Sequence, residues 1–141
     1  MDVFEVLRDV AGDVFAAQPV TFAYLYGSHA RGDARPDSDI DVAVHVDDAV
    51  ESSAYLRLSL QLGGELSHRA GIGPINGVVI LNEAPLRLIG RILADRRLIY
   101  SRDEVARVRF EVQMSARALD FELHAAALDQ QLLRRMAAGD R

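Results

Sequence analysis

The sequence predicts an α/β fold, a small mixed β-sheet packed by helices and followed by a long C-terminal helical segment. Two observations carry this. Apolar residues alternate with period two on both sides of a Gly-containing loop between residues 27 and 38, and apolar residues at helical spacing flank those runs. From Val3 to Ala17 the spacing of Val3, Phe4, Leu7, Val10, Val14 and Phe15 gives a first helix, ended by Pro19. Phe22, Tyr24 and Tyr26 then alternate up to Gly27, and Ile40, Val42, Val44 and Val46 alternate with Asp39, Asp41, Ala43 and His45, so two strands bracket the loop. Ala49 to Ser67 carries Leu56, Leu58, Leu60, Leu62 and Leu66 and reads as a second helix, frayed or bent at Gly63-Gly64. Gly71 to Pro74 is a loop, Ile75 to Leu81 a buried strand, and Asn82 the N-cap of a helix reaching Ala94. Leu98-Ile99-Tyr100 is a short further strand.

From Asp103 to Ala138 neither proline nor glycine interrupts a run rich in Arg, Glu, Leu and Ala, which predicts one long helix or two with a bend. Some 35 helical residues span about 50 Å, more than the diameter of a small domain. Part of this helix must therefore meet something else. Phe110, Met114, Phe121, Leu128 and Leu132 form a stripe assigned, on length alone, to contact with a partner.

Composition limits the function. With 141 residues, 50% of them hydrophobic, and no linker or fixed-period repeat, the chain fits one domain. No apolar run approaches a membrane span and the start, Met1-Asp2-Val3-Phe4-Glu5, lacks the basic region of a secretory signal, so a cytoplasmic location is expected and no membrane contact. The absence of cysteine excludes disulfides and thiolate metal sites. A formal net charge of −5 argues against direct binding of nucleic-acid backbone, while a nucleoside triphosphate delivered with Mg²⁺ remains compatible. His29, His45, His68 and His124 are scattered without metal-ligand spacing, which speaks against zinc, and His29 is read as a solvent-facing position outside the site.

The chemistry is concentrated in Tyr26-Gly27-Ser28-His29-Ala30-Arg31-Gly32 and Ser38-Asp39-Ile40-Asp41-Val42. Gly27 ends a strand where the backbone must turn and approach a ligand, and Ser28 is placed to cap a short helix and to offer amide and hydroxyl donors to phosphate oxygens. On a strand, Asp39 and Asp41 face the same side roughly 6.5–7 Å apart, close enough to share hard cations. The chain contains no lysine, so this is not a Walker loop and Arg31 must supply the nearby positive charge. A calcium loop starting at Asp37 fails, because its sixth and twelfth positions are Val42 and Asp48 instead of Gly and Glu.

Ser28, ten intervening residues and Asp39-Ile40-Asp41 resemble the signature of the DNA polymerase β nucleotidyltransferase superfamily. Leu81-Asn82-Glu83-Ala84-Pro85 and the Arg-rich closing helix are similar to MNT-domain (minimal nucleotidyltransferase) antitoxins of the MntA type, partners of HEPN-domain toxins. The resemblance implies a polymerase β-like nucleotidyltransferase domain over residues 1–102, with residues 103–141 as its helical extension. It implies transfer of AMP from ATP to a tyrosine of a HEPN ribonuclease, with Asp39 and Asp41 holding Mg²⁺, Gly27 and Ser28 holding the triphosphate, and Arg31 or Ser38 supporting the loop. A small-molecule nucleotidyltransferase and a binding module without chemistry are the alternatives. One departure stands out: where this fold usually places a third carboxylate, the chain has Asn76 or Gly77, leaving a carboxylate-poorer enzyme, a substitute such as Glu65 or Glu83, or a binder.

Overall fold

A four-stranded sheet in the order β3-β2-β1-β4 organises the chain in the computed structural model, which describes residues 2–139. Central β1 (Val20–Tyr26) is antiparallel to both β2 (Asp41–Val46) and β4 (Arg97–Ser101), while the short β3 (Val79–Ile80) runs parallel to β2. Around it lie α1 (Val3–Phe15), α2 (Ser28–Arg31), α3 (Tyr55–Ala70), α4 (Leu86–Asp95) and α5 (Glu104–Ala137). This is the predicted mixed α/β architecture.

Each face of the sheet has its own core. Ala23, Leu25, Val42 and Val44 pack against Leu7, Ala11 and Phe15 of α1 and Leu58, Leu62 and Leu66 of α3. On the other face Phe22, Tyr24 and Ala43 meet Ile89, Ile92 and Leu93 of α4, with Phe110 and Met114 of α5 beside them. Burial of each large apolar side chain contributes roughly 1.5–3 kcal/mol, so covering both faces makes β1 the best anchored element. Asp41 shares its face of β2 with Ala43 and His45, and therefore looks toward α4.

Four local expectations change. Helix α3 runs unbroken through Gly63-Gly64 and stops at Gly71, which adopts φ +64° and donates its N–H to the Ser67 carbonyl. Gly63 serves close approach instead of bending: a β-carbon there would come within 2.9 Å of Gly77 Cα and the Ile75 carbonyl oxygen. That contact also explains why the third strand shrinks to Val79–Ile80. Upstream, Ile75 N donates to Ser67 Oγ at 2.7 Å and Ser59 Oγ donates to the Val78 carbonyl at 2.6 Å, so this backbone is bound to α3 and not to the sheet. Nor is Asn82 a helix cap, since α4 begins after Pro85. Asn82 instead clamps β2, its Oδ1 accepting from Val46 N and its Nδ2 donating to the Val46 carbonyl, both at 2.9 Å. Finally, α1 ends at Phe15.

Helix α5 is a single helix of 34 residues capped by Asp103, whose side chain accepts from Ala106 N. Its predicted stripe divides. Phe110 and Met114 belong to the domain's core, whereas Phe121, Leu128 and Leu132 are exposed, with Phe121 under the guanidinium of Arg87. The sequence boundary at residues 102 and 103 thus falls at the start of a helix whose first turns complete the core. Among the described residues no helix is long and apolar enough to cross a membrane.

One polar knot fixes α5 to the sheet. Tyr24 Oη donates to Glu111 Oε2 at 2.7 Å, Arg107 donates to the same oxygen at 2.7 Å, and Arg96 donates to Oε1 at 3.1 Å. Burial and the Glu111 bond push the Tyr24 hydroxyl far above its ordinary range, keeping it a donor. Burial alone would raise Glu111, but the bonds from Tyr24 and Arg107 and the charges of Arg96 and Arg107 outweigh it and hold the carboxyl below its usual range. A carboxylate depressed in the folded state adds stability above its unfolded pKa, near 4.5, and loses it as pH falls through the lower folded value. Glu111→Gln is therefore expected to cost about 1–3 kcal/mol at neutral pH, and the gap from the parent should close below roughly pH 4 in urea titrations.

Candidate functional site

The site grows from the end of β1. Gly27 adopts φ +76° and ψ −158°, a conformation that L side chains rarely occupy, and caps α2 through its carbonyl, which accepts from Ala30 N and Arg31 N at 3.0 Å. Ser28 is the first residue of α2 and not its cap, so the side-chain cap expected there is absent. Its amide falls instead among the first-turn donors that a helix leaves without internal partners. Antiparallel pairing sets Tyr26 opposite Asp41. A β-carbon on Gly27 would overlap the Asp41 carboxylate, so the glycine is needed both for its φ and for this approach.

Asp41 is the first residue of β2 and half-buried, whereas Asp39 is exposed and precedes the strand, so the two are not a pair within one regular strand as predicted. They remain close enough to interact: burial, then the charge of Asp39, pushes the Asp41 carboxyl up, opposed by His29, Arg31 and Arg91. The loop leading into them is tied down. Ser38 Oγ accepts from Arg35 N at 2.8 Å, and His29 Nε2 lies 3.2 Å from the Ser38 carbonyl oxygen. His29 thus joins α2 to the residue before Asp39 and belongs to the site's frame, where the sequence alone had suggested a solvent-facing position.

Gly27, Ser28, Arg31 and Asp41 line one cleft of about 570 Å³ with Tyr26 and with Arg91, Ala94 and Asp95 of α4. Ser38 and Asp39 lie on the loop entering β2, outside that lining. Arg31 is less free than the sequence suggests: its Nη1 donates to Asp95 at 2.8 Å and its Nε to Asp33 at 3.2 Å. Burial and the neighbouring Asp41 push the Tyr26 hydroxyl up to about 12. The contributions of α4 had no signal in the motif, because Arg91 and Asp95 reach the cleft only through the packing of α4 on the sheet.

No third carboxylate stands at the position the fold usually gives it, and the further acid of the cleft, Asp95, is engaged by Arg31 at 2.8 Å. Parallel pairing of Ala43 with Val79 would carry Gly77 alongside Asp41, but the chain is not strand there and a β-carbon at Gly77 would point to Ser59 Oγ, 3.0 Å away on the α3 side. Glu65 lies between α1 and α3, and Glu83 lies beside Tyr55 and Leu88, so neither reaches the cleft. Among the described residues no group of three His, Cys, Asp or Glu side chains forms a metal-sized cluster. The donor set nevertheless fits a hard cation carried on a polyphosphate. Two carboxylates repel each other at the cleft, no ion pair among the described residues engages either of them, and Mg²⁺ ordinarily takes one or two protein carboxylates plus phosphate and water oxygens.

This strand-turn-helix has one carboxylate, Asp41, at the start of the neighbouring strand and another, Asp39, just before it. Residues 12–105 match the family model described as Polymerase beta, Nucleotidyltransferase, and the chain belongs to that family. No curated protein matches it. Among solved structures it is similar to a toxin-antitoxin complex with AMP-PNP, at 17% identity and a TM-score of 0.61, covering 96% of this chain and 98% of that one. It is similar too to an MNT antitoxin complex with the tri-AMPylated HEPN toxin of Shewanella oneidensis, at 14% identity, TM-score 0.58 and coverage of 96% and 99%. A MntA-HepT toxin-antitoxin complex matches at 15% identity and TM-score 0.58, covering 94% and 98%. These likenesses agree with the fold inferred from the motif, and they extend over α5.

Gly27→Ala should lower stability by about 1–3 kcal/mol through backbone strain and also displace Asp41. Gly32→Ala supplies the control, since Gly32 has φ +85° but nothing within 4 Å of its added carbon. Denaturant titrations of both variants are expected to show the larger loss at Gly27.

Proposed function

We propose that this chain is the antitoxin of a HEPN/MNT toxin-antitoxin pair, a cytoplasmic Mg²⁺-dependent adenylyltransferase that moves AMP from ATP to a tyrosine of its cognate HEPN toxin. The observation that carries the reading is the approach of the Gly27 backbone to the Asp41 carboxylate, which sets the first turn of α2 beside the aspartates. The structural neighbours, one described as an MNT antitoxin with a tri-AMPylated HEPN toxin and one as a MntA-HepT toxin-antitoxin, support the choice of substrate.

In the proposed transfer the toxin's tyrosine oxygen attacks the α-phosphorus of ATP. A Tyr O–P bond forms, the bond from the α-phosphorus to the α,β-bridging oxygen breaks, pyrophosphate leaves, and the hydroxyl proton passes to water. Asp39 and Asp41 would hold the metal, and when bound Mg²⁺ supplies charge neutralisation on the polyphosphate. Gly27, lacking a β-carbon, lets the Asp41 carboxylate come up against the turn that carries Ser28. Ser28 offers its amide and hydroxyl to the β- and γ-phosphates, and the ties of His29 and Ser38 hold the loop in place. Positioning and electrostatics are then the whole contribution of the chain, in keeping with a site whose further acid, Asp95, is paired with Arg31.

The absence of a carboxylate at Gly77 and the exposed outer half of α5 favour a second reading, in which the chain neutralises its partner by binding alone. Co-expression with the proposed HEPN partner separates the two. With wild type the toxin is expected to gain mass in steps of one AMP at substoichiometric antitoxin. With Asp39→Asn/Asp41→Asn it should gain none and remain toxic while still associating. Protection by the double variant equal to wild type, with an unmodified toxin, would establish the binding mode instead.

A further inference from the structure

We infer that Arg91 of α4 is the cation that grips the nucleotide's polyphosphate, and that the Arg31–Asp95 ion pair keeps it free to do so; this rests on the nucleotide-binding reading of the cleft.

The charges in the cleft compete for one another. Asp41 and Asp95 are its acids, Arg31 and Arg91 its bases, and there is no lysine in the chain to add to them. Arg31, the cation the motif itself provides, is already engaged by Asp95 at 2.8 Å and by Asp33 at 3.2 Å. Arg91 enters no ion pair among the described residues, although it lines the cleft and its charge acts on both Asp41 and Tyr26. It also borders the groove between α4 and α5, where Glu122 is the acid, yet no ion pair forms there either.

Arg91 and Asp95 stand four residues apart on one helix, the spacing at which opposite charges pair across a turn. Because Asp95 instead faces Arg31 across the cleft, that pairing does not form. The Arg31–Asp95 contact does two things at once. It ties α2 to α4, and it leaves the guanidinium of Arg91 without a carboxylate partner in the cleft that Gly27 and Ser28 also line. A planar guanidinium with several donors suits bidentate contact with phosphate oxygens. The ligand class is a nucleoside polyphosphate, since a single phosphate held at α2 would make less use of a second cation from α4. Arg31 and Asp95 are positioning residues here, and Arg91 is a binding residue.

The test is calorimetric titration of the full chain, with Mg²⁺ present, using the α,β-methylene analogue of ATP and, separately, AMP. Arg91→Gln, a change at an exposed side chain, is expected to weaken binding of the analogue roughly tenfold to a hundredfold while leaving AMP binding and thermal unfolding as in wild type. Arg31→Ala should weaken it too, by releasing Asp95 onto Arg91, and Arg31→Ala/Asp95→Asn should recover part of that loss. Wild-type affinity for the analogue in Arg91→Gln overturns the assignment of Arg91. No recovery in the double variant overturns the role given to the ion pair. Absence of binding by the wild-type chain would overturn the underlying nucleotide reading and this assignment with it, which keeps the two failures distinct.

Discussion

The rest of the site depends on a contact between a backbone and a carboxylate. Gly27 leaves β1 at a positive φ with no side chain, and the Asp41 carboxylate occupies the space a β-carbon would need. Antiparallel pairing of Tyr26 with Asp41 puts the two there, so the position of the acid is set by the hydrogen-bond register of the two most central strands and not by a flexible loop. That register is itself secured from both sides of the sheet. Leu25 and Val42 are held by α1 and α3, and Tyr24 and Ala43 by α4 and its neighbours. Small displacements of Asp41 are resisted by a packed interior, which suits a site whose work is alignment.

A second dependence runs through α4 and α5. Glu111 gathers Tyr24, Arg96 and Arg107, joining the central strand, the end of α4 and the long helix in one network. Through it the inner half of α5 holds the segment following α4, and α4 in turn delivers Arg91 and Asp95 to the cleft. The outer half of α5 has no such duty within the domain. Leu123, Leu128, Leu132, Leu133 and Met136 are all more than half exposed, an apolar surface on a helix of about 51 Å at 1.5 Å per residue. In the proposed complex this is the surface a toxin would cover.

Much of the fold was legible because period-two alternation in Phe22 to Tyr26 and Ile40 to Val46 is the pattern a pleated strand imposes on its two faces, and because the long final helix contains no breaker. What misled were residues whose role is tertiary. Gly63-Gly64 reads as a bend in isolation, yet Gly63 is the contact point for Ile75 and Gly77. Asn82 has the side chain of a cap, but the unpaired backbone of Val46 at the edge beyond β3 is the partner it finds. Gly77 has the sequence position of a third acid, but the bonds of the adjacent Val78 to Ser59 of α3 turn it to the other side of the sheet. In the cleft, Gly27, Ser28, Arg31 and Asp41 belong to one motif, whereas Asp95 and Arg91 belong to a helix fifty or more residues away, and His29, which reads as solvent-facing, meets the Ser38 carbonyl only through the folded loop. Local sequence announces a turn and two aspartates; only packing shows which charges reach them.

The claim that Gly27 and Asp41 together build a metal-dependent nucleotide site is tested most directly by the metal dependence of nucleotide binding. Equilibrium binding of a fluorescent ATP analogue, measured with Mg²⁺ and again with EDTA in wild type and in Asp41→Asn, is expected to show tight binding only in wild type with metal, and a loss of at least tenfold in the other three conditions. Equal affinity in wild type with and without metal, unchanged in Asp41→Asn, would contradict the account.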